Sequence, residues 1–85
     1  MSTMNQYREA LSKRLWPVNG APAKIRAVDL ARDVTSTPPG KRPPRNDVVL
    51  ASKVLLENLD PPRKGWAVKE VGAATTTLIF QRSKA

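Results

Sequence analysis

The sequence predicts an α+β fold of three helices and a C-terminal β-hairpin, with room for a third, short edge strand. Three observations predict it. Apolar residues recur at spacings of three and four over residues 4–15 and 46–59, the period of a helix covered on one side. From residue 66 the pattern becomes an alternation rich in β-branched and aromatic residues, the period of a strand. The prolines and glycines fall between these stretches rather than inside them, as punctuation does. A chain of 85 residues makes one domain, near the lower end of what folds without staples. Residues 1–2 and 82–85 are expected to fray at its ends.

The first helix is expected from about Thr3 to Leu15, capped by Ser2 or Thr3. Met4, Tyr7, Leu11 and Leu15 follow its period. Glu9 and Lys13 form a favourable i,i+4 pair on the opposite face. Trp16-Pro17 ends it, because a residue before proline avoids helical dihedrals. Trp16 is expected to plug the core. Residues 18–22 read as a turn around Asn19-Gly20. Ile25 to Ala27 read as a short extended piece, a candidate edge strand. A helix from Val28 or Asp29 to about Thr35 follows, with Leu30, Ala31 and Val34 on one face.

Residues 36–45 form a basic, proline-rich loop with four prolines and three cations, a composition that favours an extended, semi-rigid chain. Lys41, Arg42 and Arg45 suit contacts along a phosphate backbone. A solvated connector, stiffened by its prolines, fits the same residues. The third helix is expected over 46–59, with Asn46 and Asp47 at its cap. Val48, Ala51, Leu55 and Leu59 share a face that Val49, Leu50, Val54 and Leu56 widen. Only Asn46, Lys53 and Glu57 clearly point away. Leu50 and Val54 suit either the core or an apolar seam to a second copy of the chain. Such a homodimer would pair two half-sites. Pro61 and Pro62 lie just past the helix end.

The hairpin is expected over 65–81, turning at Gly72-Ala73-Ala74, with its second strand from Thr75 to Gln81. Trp66, Val68, Leu78 and Phe80 are expected to face the helices.

Fifteen Lys and Arg against seven Asp and Glu leave a formal charge of +8, and the pI is about 10.7. A small domain this basic favours a polyanionic partner. The sequence holds no cysteine and no histidine, which removes the usual nucleophiles, bases and soft metal ligands. Asp29 and Asp33 stand one helical turn apart, which more often marks a solvated face than a catalytic pair. No enzyme activity, cofactor or metal is expected. No apolar run approaches the roughly 20 residues that span a bilayer, and the N-terminus lacks an apolar signal-peptide core. The expected location is the cytoplasm of a bacterial or phage-infected host cell, with no membrane partner.

Ile25-x-x-Val28-x-Leu30-Ala31-x-x-Val34, followed by a turn, an apolar helix opening on Asn46-Asp47, and Gly65-Trp66 opening a hairpin, resembles the winged helix-turn-helix family. The resemblance covers nearly the whole chain, and the order of elements carries most of it. The chain departs from the family in its connector, about ten residues where the turn between such helices takes three or four. The resemblance implies binding of duplex DNA, with 46–57 as the recognition helix. Asn46, Asp47, Leu50, Lys53 and Glu57 are its exposed candidates. Asn46 would read adenine and Lys53 guanine. Lys41, Arg42, Arg45, Arg63, Lys64, Lys69 and Arg82 would contact phosphates from one flank of the domain. The recognition helix holds no arginine beyond Arg45 at its start, and the hairpin tip holds no cation. Those gaps keep an alternative open: a phage-type inhibitor that docks on a host nucleic-acid-processing complex. A ribosomal or virion structural protein is a third expectation.

Overall fold

A computed structural model describes residues 3–18, 20–59, 64–71 and 76–83. The elements run in the order α1 (Met4–Leu15), β1 (Ala23–Arg26), α2 (Ala27–Thr35), α3 (Arg45–Glu57), β2 (Trp66–Val71) and β3 (Thr77–Arg82). The three strands form one antiparallel sheet in the order β1-β3-β2. The expected edge strand exists, on the opposite side of β3 from the hairpin partner. The fold is therefore a small α+β domain of three helices and a three-stranded sheet.

α1 starts where Thr3 caps it. The Gln6 backbone N–H donates to the Thr3 hydroxyl at 3.3 Å, and the Thr3 N–H donates to Gln6 Oε1 at 2.8 Å, a reciprocal capping box. Tyr7, Leu11 and Leu15, spaced by four, are the buried stripe. Trp16 corrects two expectations. It keeps helical dihedrals (φ −53°, ψ −48°) and donates its N–H to Ser12 at 2.9 Å. The helix stops because Pro17 has no N–H to continue the ladder. Nor does Trp16 plug the core: it is 85% exposed. Leu15 takes the inward position, and the next residue turns about 100° away.

β1 lies two residues earlier than expected at its start, and α2 begins at Ala27. The Ala27 N–H bonds the Thr76 carbonyl at 2.9 Å, so it completes the strand pairing while its own carbonyl enters the helix. Leu30 and Ala31 are buried on α2, and Val34 packs against the core from its edge. α2 ends at Ser36, which takes left-handed dihedrals (φ 55°).

The loop from 36 to 44 folds back rather than running extended. Lys41 N–H donates to the Pro38 carbonyl at 3.2 Å across Pro39-Gly40, and Gly40 has φ +90°. Proline before a positive-φ glycine suits a type II turn. Pro43 is buried and anchors the loop's end.

α3 starts at Arg45, one residue before the expected Asn46, and no side chain caps it. The Pro44 carbonyl accepts the N–H groups of Asp47 and Val48 at 3.0 and 3.1 Å, which sets the first turn without Asn46 or Asp47 as cap. Asp47 instead accepts the Tyr7 hydroxyl at 2.8 Å, tying α1 to α3. The far end closes at Asn58, whose side-chain amide donates to the Val54 carbonyl at 2.7 Å. The helix thus stops two residues short of Leu59. Ala51, Val54 and Leu55 are buried, and Leu50 packs against the core. Val54 therefore belongs to the domain's own core, and Leu50 packs half-buried at its margin. Val49 and Leu56, expected to be covered, are exposed.

Register assigns the two faces of the sheet. Ile25 stands opposite Leu78, Val68 opposite Phe80, and Trp66 opposite Arg82. Trp66, Leu78, Phe80 and Ile25 are buried in the same cluster as the helices' stripes, with Val68 packed at its margin. Trp66 meets Phe80 edge to face, ring centres 6.3 Å apart, a favoured aromatic geometry. β3 runs two residues later than expected at its start, and Arg82 belongs to it rather than to a frayed tail. The expected turn at 72–74 and the start at Thr75 lie outside the described residues.

Candidate nucleic-acid interface

The charged side chains sort into two populations. On the α1 side, cations are matched by carboxylates. Arg8 binds Glu57 through two bonds of 2.8 Å. Arg14 binds Asp33 through two bonds as well. Lys13 stands 3.6 Å from Glu9. The first pair links α1 to α3 and the second links α1 to α2, while the third lies within α1. The hydrogen bond from Arg8 holds the Glu57 carboxyl below its ordinary value.

The second population has no such matching. Among the described residues, no carboxylate stands within ion-pair distance of Lys24, Lys41, Arg42, Arg45, Lys53, Lys64 or Lys69, and all seven are exposed. Six of them, all but Lys24, are residues the sequence points to as nucleic-acid contacts. Arg82 is exposed too, but its guanidinium lies 4.5 Å from the Trp66 ring centre, a cation–π contact that holds it. Arg63 lies outside the described residues.

These cations lie in three settings: a cleft, the exposed strip of α3, and the sheet. The first is a cleft lined by Arg26, Val28, Arg32, Arg42, Pro43, Arg45 and Val48. It brings two expected residues, Arg42 and Arg45, together with two that sequence reasoning missed. Arg26 ends β1 and Arg32 sits on α2. Both lie next to Asp29, Arg26 at 2.9 Å and Arg32 at 3.7 Å. A helical Arg32 one turn after Val28, with Arg26 just ahead of the helix, was the available signal. It gains meaning only when the loop returns to α2.

The second surface is the exposed strip of α3: Asn46, Val49, Lys53 and Leu56. These positions span about 15 Å of helix. Asn46 and Lys53 are displayed as expected. Asp47 is half-buried and engaged by Tyr7, so it cannot also reach a base. Glu57 is engaged by Arg8, and Leu50 is half-buried. The strip is more apolar than the expected reading surface.

The third surface is on the sheet. Lys24 and Lys69 both pair in register with Ile79. They flank it on the face turned away from the helices, about 10 Å apart. Lys64 and Arg82 meet at the open end of the hairpin, where Ser83 N–H donates to the Gly65 carbonyl at 3.1 Å.

Among the described residues, no group of three or more Cys, His, Asp or Glu is arranged to hold a metal ion, and no helix is long and apolar enough to cross a membrane. No family model matches the chain, and no curated protein or solved structure matches it.

Proposed function

We propose that this protein is a small, non-catalytic winged helix-turn-helix domain that binds duplex DNA as a regulator or accessory factor in a bacterial or phage setting. One observation carries the reading. Cations with no carboxylate partner among the described residues run from the 36–44 loop onto the exposed strip of α3: Lys41, Arg42, Arg45 and Lys53. The element order and the β1-β3-β2 sheet support it, because that order suits a helix laid in the major groove beside a hairpin. Phosphate contacts of this kind supply affinity and salt dependence, with little reading of sequence. Asn46 and Lys53 are the base-reading candidates on the strip.

A salt titration of binding to a random-sequence duplex tests the reading. Four phosphate contacts give a log–log slope of about −3.6. Binding that is absent at low salt, or flat with salt, rules the reading out.

A second reading has its own support. Val49 and Leu56 are 44% and 42% exposed on either side of Lys53. An apolar strip with a single cation suits a protein partner better than a DNA groove. On this reading the domain is a phage-type inhibitor docked on a host nucleic-acid-processing complex. A pull-down from nuclease-treated bacterial lysate separates the two. A stoichiometric protein partner lost in Val49→Asp favours the second, and its absence favours the first.

A further inference from the structure

We propose that the cleft between the N-terminal ends of α2 and α3 is a phosphate seat, shaped for a group or pair of groups carrying two or more negative charges. The proposal rests on the nucleic-acid reading only for the source of that phosphate. Four guanidinium groups line the opening from separate segments: Arg26 at the end of β1, Arg32 on α2, Arg42 in the loop and Arg45 at the start of α3. Among the described residues, a single carboxylate, Asp29, bonds into this group. Four positive charges against one leave a strong local excess. Such an excess attracts an anion, and the guanidinium fork matches phosphate oxygens two at a time.

Three further features point the same way. Asp29 grips Arg26 through bonds of 2.9 and 3.2 Å and stands 3.7 Å from Arg32. One of the four guanidinium groups, Arg26, is therefore held in place before any ligand arrives, which lowers the ordering cost of binding. Arg26 and Pro44 occupy the cap positions of α2 and α3, and neither helix has a side-chain cap. The positive ends of both helices add to the field at the same opening. Val28, Pro43 and Val48 supply apolar walls, which strengthen charge interactions inside.

The test uses the full chain and sodium pyrophosphate, followed by calorimetry at low salt. One pyrophosphate per chain is expected. Arg42→Gln and Arg32→Gln each weaken it by about tenfold, and Lys13→Gln, on α1, leaves it unchanged. Arg42 is exposed and has no ion-pair partner, so its variant keeps the fold even if Arg32→Gln does not. A random-sequence duplex that competes with pyrophosphate assigns the seat to nucleic-acid phosphates. Pyrophosphate binding indifferent to the duplex assigns it to a free phosphate compound. No pyrophosphate binding, or equal binding in Arg42→Gln, overturns the seat even if DNA still binds. Pyrophosphate binding without DNA binding keeps the seat and removes the DNA reading.

Discussion

The outer face of α1 and the face built by the 36–44 loop with α3 both carry several cations, yet they differ in what those cations do. On α1, Arg8, Lys13 and Arg14 each meet a carboxylate, and two of the three reach across to another helix. On the loop and α3, Lys41, Arg42, Arg45 and Lys53 meet none among the described residues. Net charge alone cannot separate the two. Cations matched one for one by carboxylates leave little field for a ligand, whereas cations that outnumber their carboxylates keep theirs for a partner. The difference teaches that the useful part of a +8 charge is the part the fold leaves unneutralised.

The largest effect comes from removing what both regions share. Phe80 is fully buried and stacks edge to face on Trp66. Phe80→Ala should cost about 3–5 kcal/mol, read by urea unfolding. A domain near the lower size limit then loses both faces together. Arg14→Gln breaks a bidentate α1–α2 pair that is about two-thirds shielded from solvent. It should cost less than about 1 kcal/mol and leave DNA affinity unchanged. A loss of affinity there would break the division between the faces.

The fold's element order is legible in the sequence because three local signals agree. The 7-11-15 stripe, the apolar 46–59 run and the alternation after Trp66 all survive in the structure, and each depends on local periodicity alone. The details that were missed depend on neighbours distant in sequence. Asn46-Asp47 carries good cap chemistry, but the Pro44 carbonyl takes that role and Tyr7 takes Asp47. Trp16 is large and apolar, but Tyr7, Trp66 and Phe80 already fill the core. Arg26 and Arg32 become part of a charged cleft only because the loop brings Arg42 and Arg45 back to α2.

Smaller effects sharpen the comparison. The Arg8 hydrogen bond lowers the Glu57 pKa in the folded chain, from an ordinary value of 4.5. The pair therefore stabilises fully above that value, and its contribution fades as pH falls below it. Melting temperatures of the wild type and Glu57→Gln should differ slightly at neutral pH and converge in acid. The gap should also shrink with salt, since the pair is exposed. The smallest effect is expected at Trp16. With 85% of its surface in solvent, Trp16→Ala should change stability by no more than about 0.5 kcal/mol in the same urea experiment. A larger loss would mean that Trp16 packs against the domain after all.

The most direct measurement sets the two faces against each other: fluorescence anisotropy of a random-sequence duplex, titrated across salt. It compares the wild type with Arg42→Gln/Arg45→Gln and with Arg8→Gln/Arg14→Gln. The unneutralised face should lose affinity for every sequence alike, with a salt slope shallower by about 1.8, while the paired face should keep both affinity and slope. Equal losses from the two double variants, or none from the first, would contradict the claim that unpaired charge on the loop and α3 is what this domain presents to its partner.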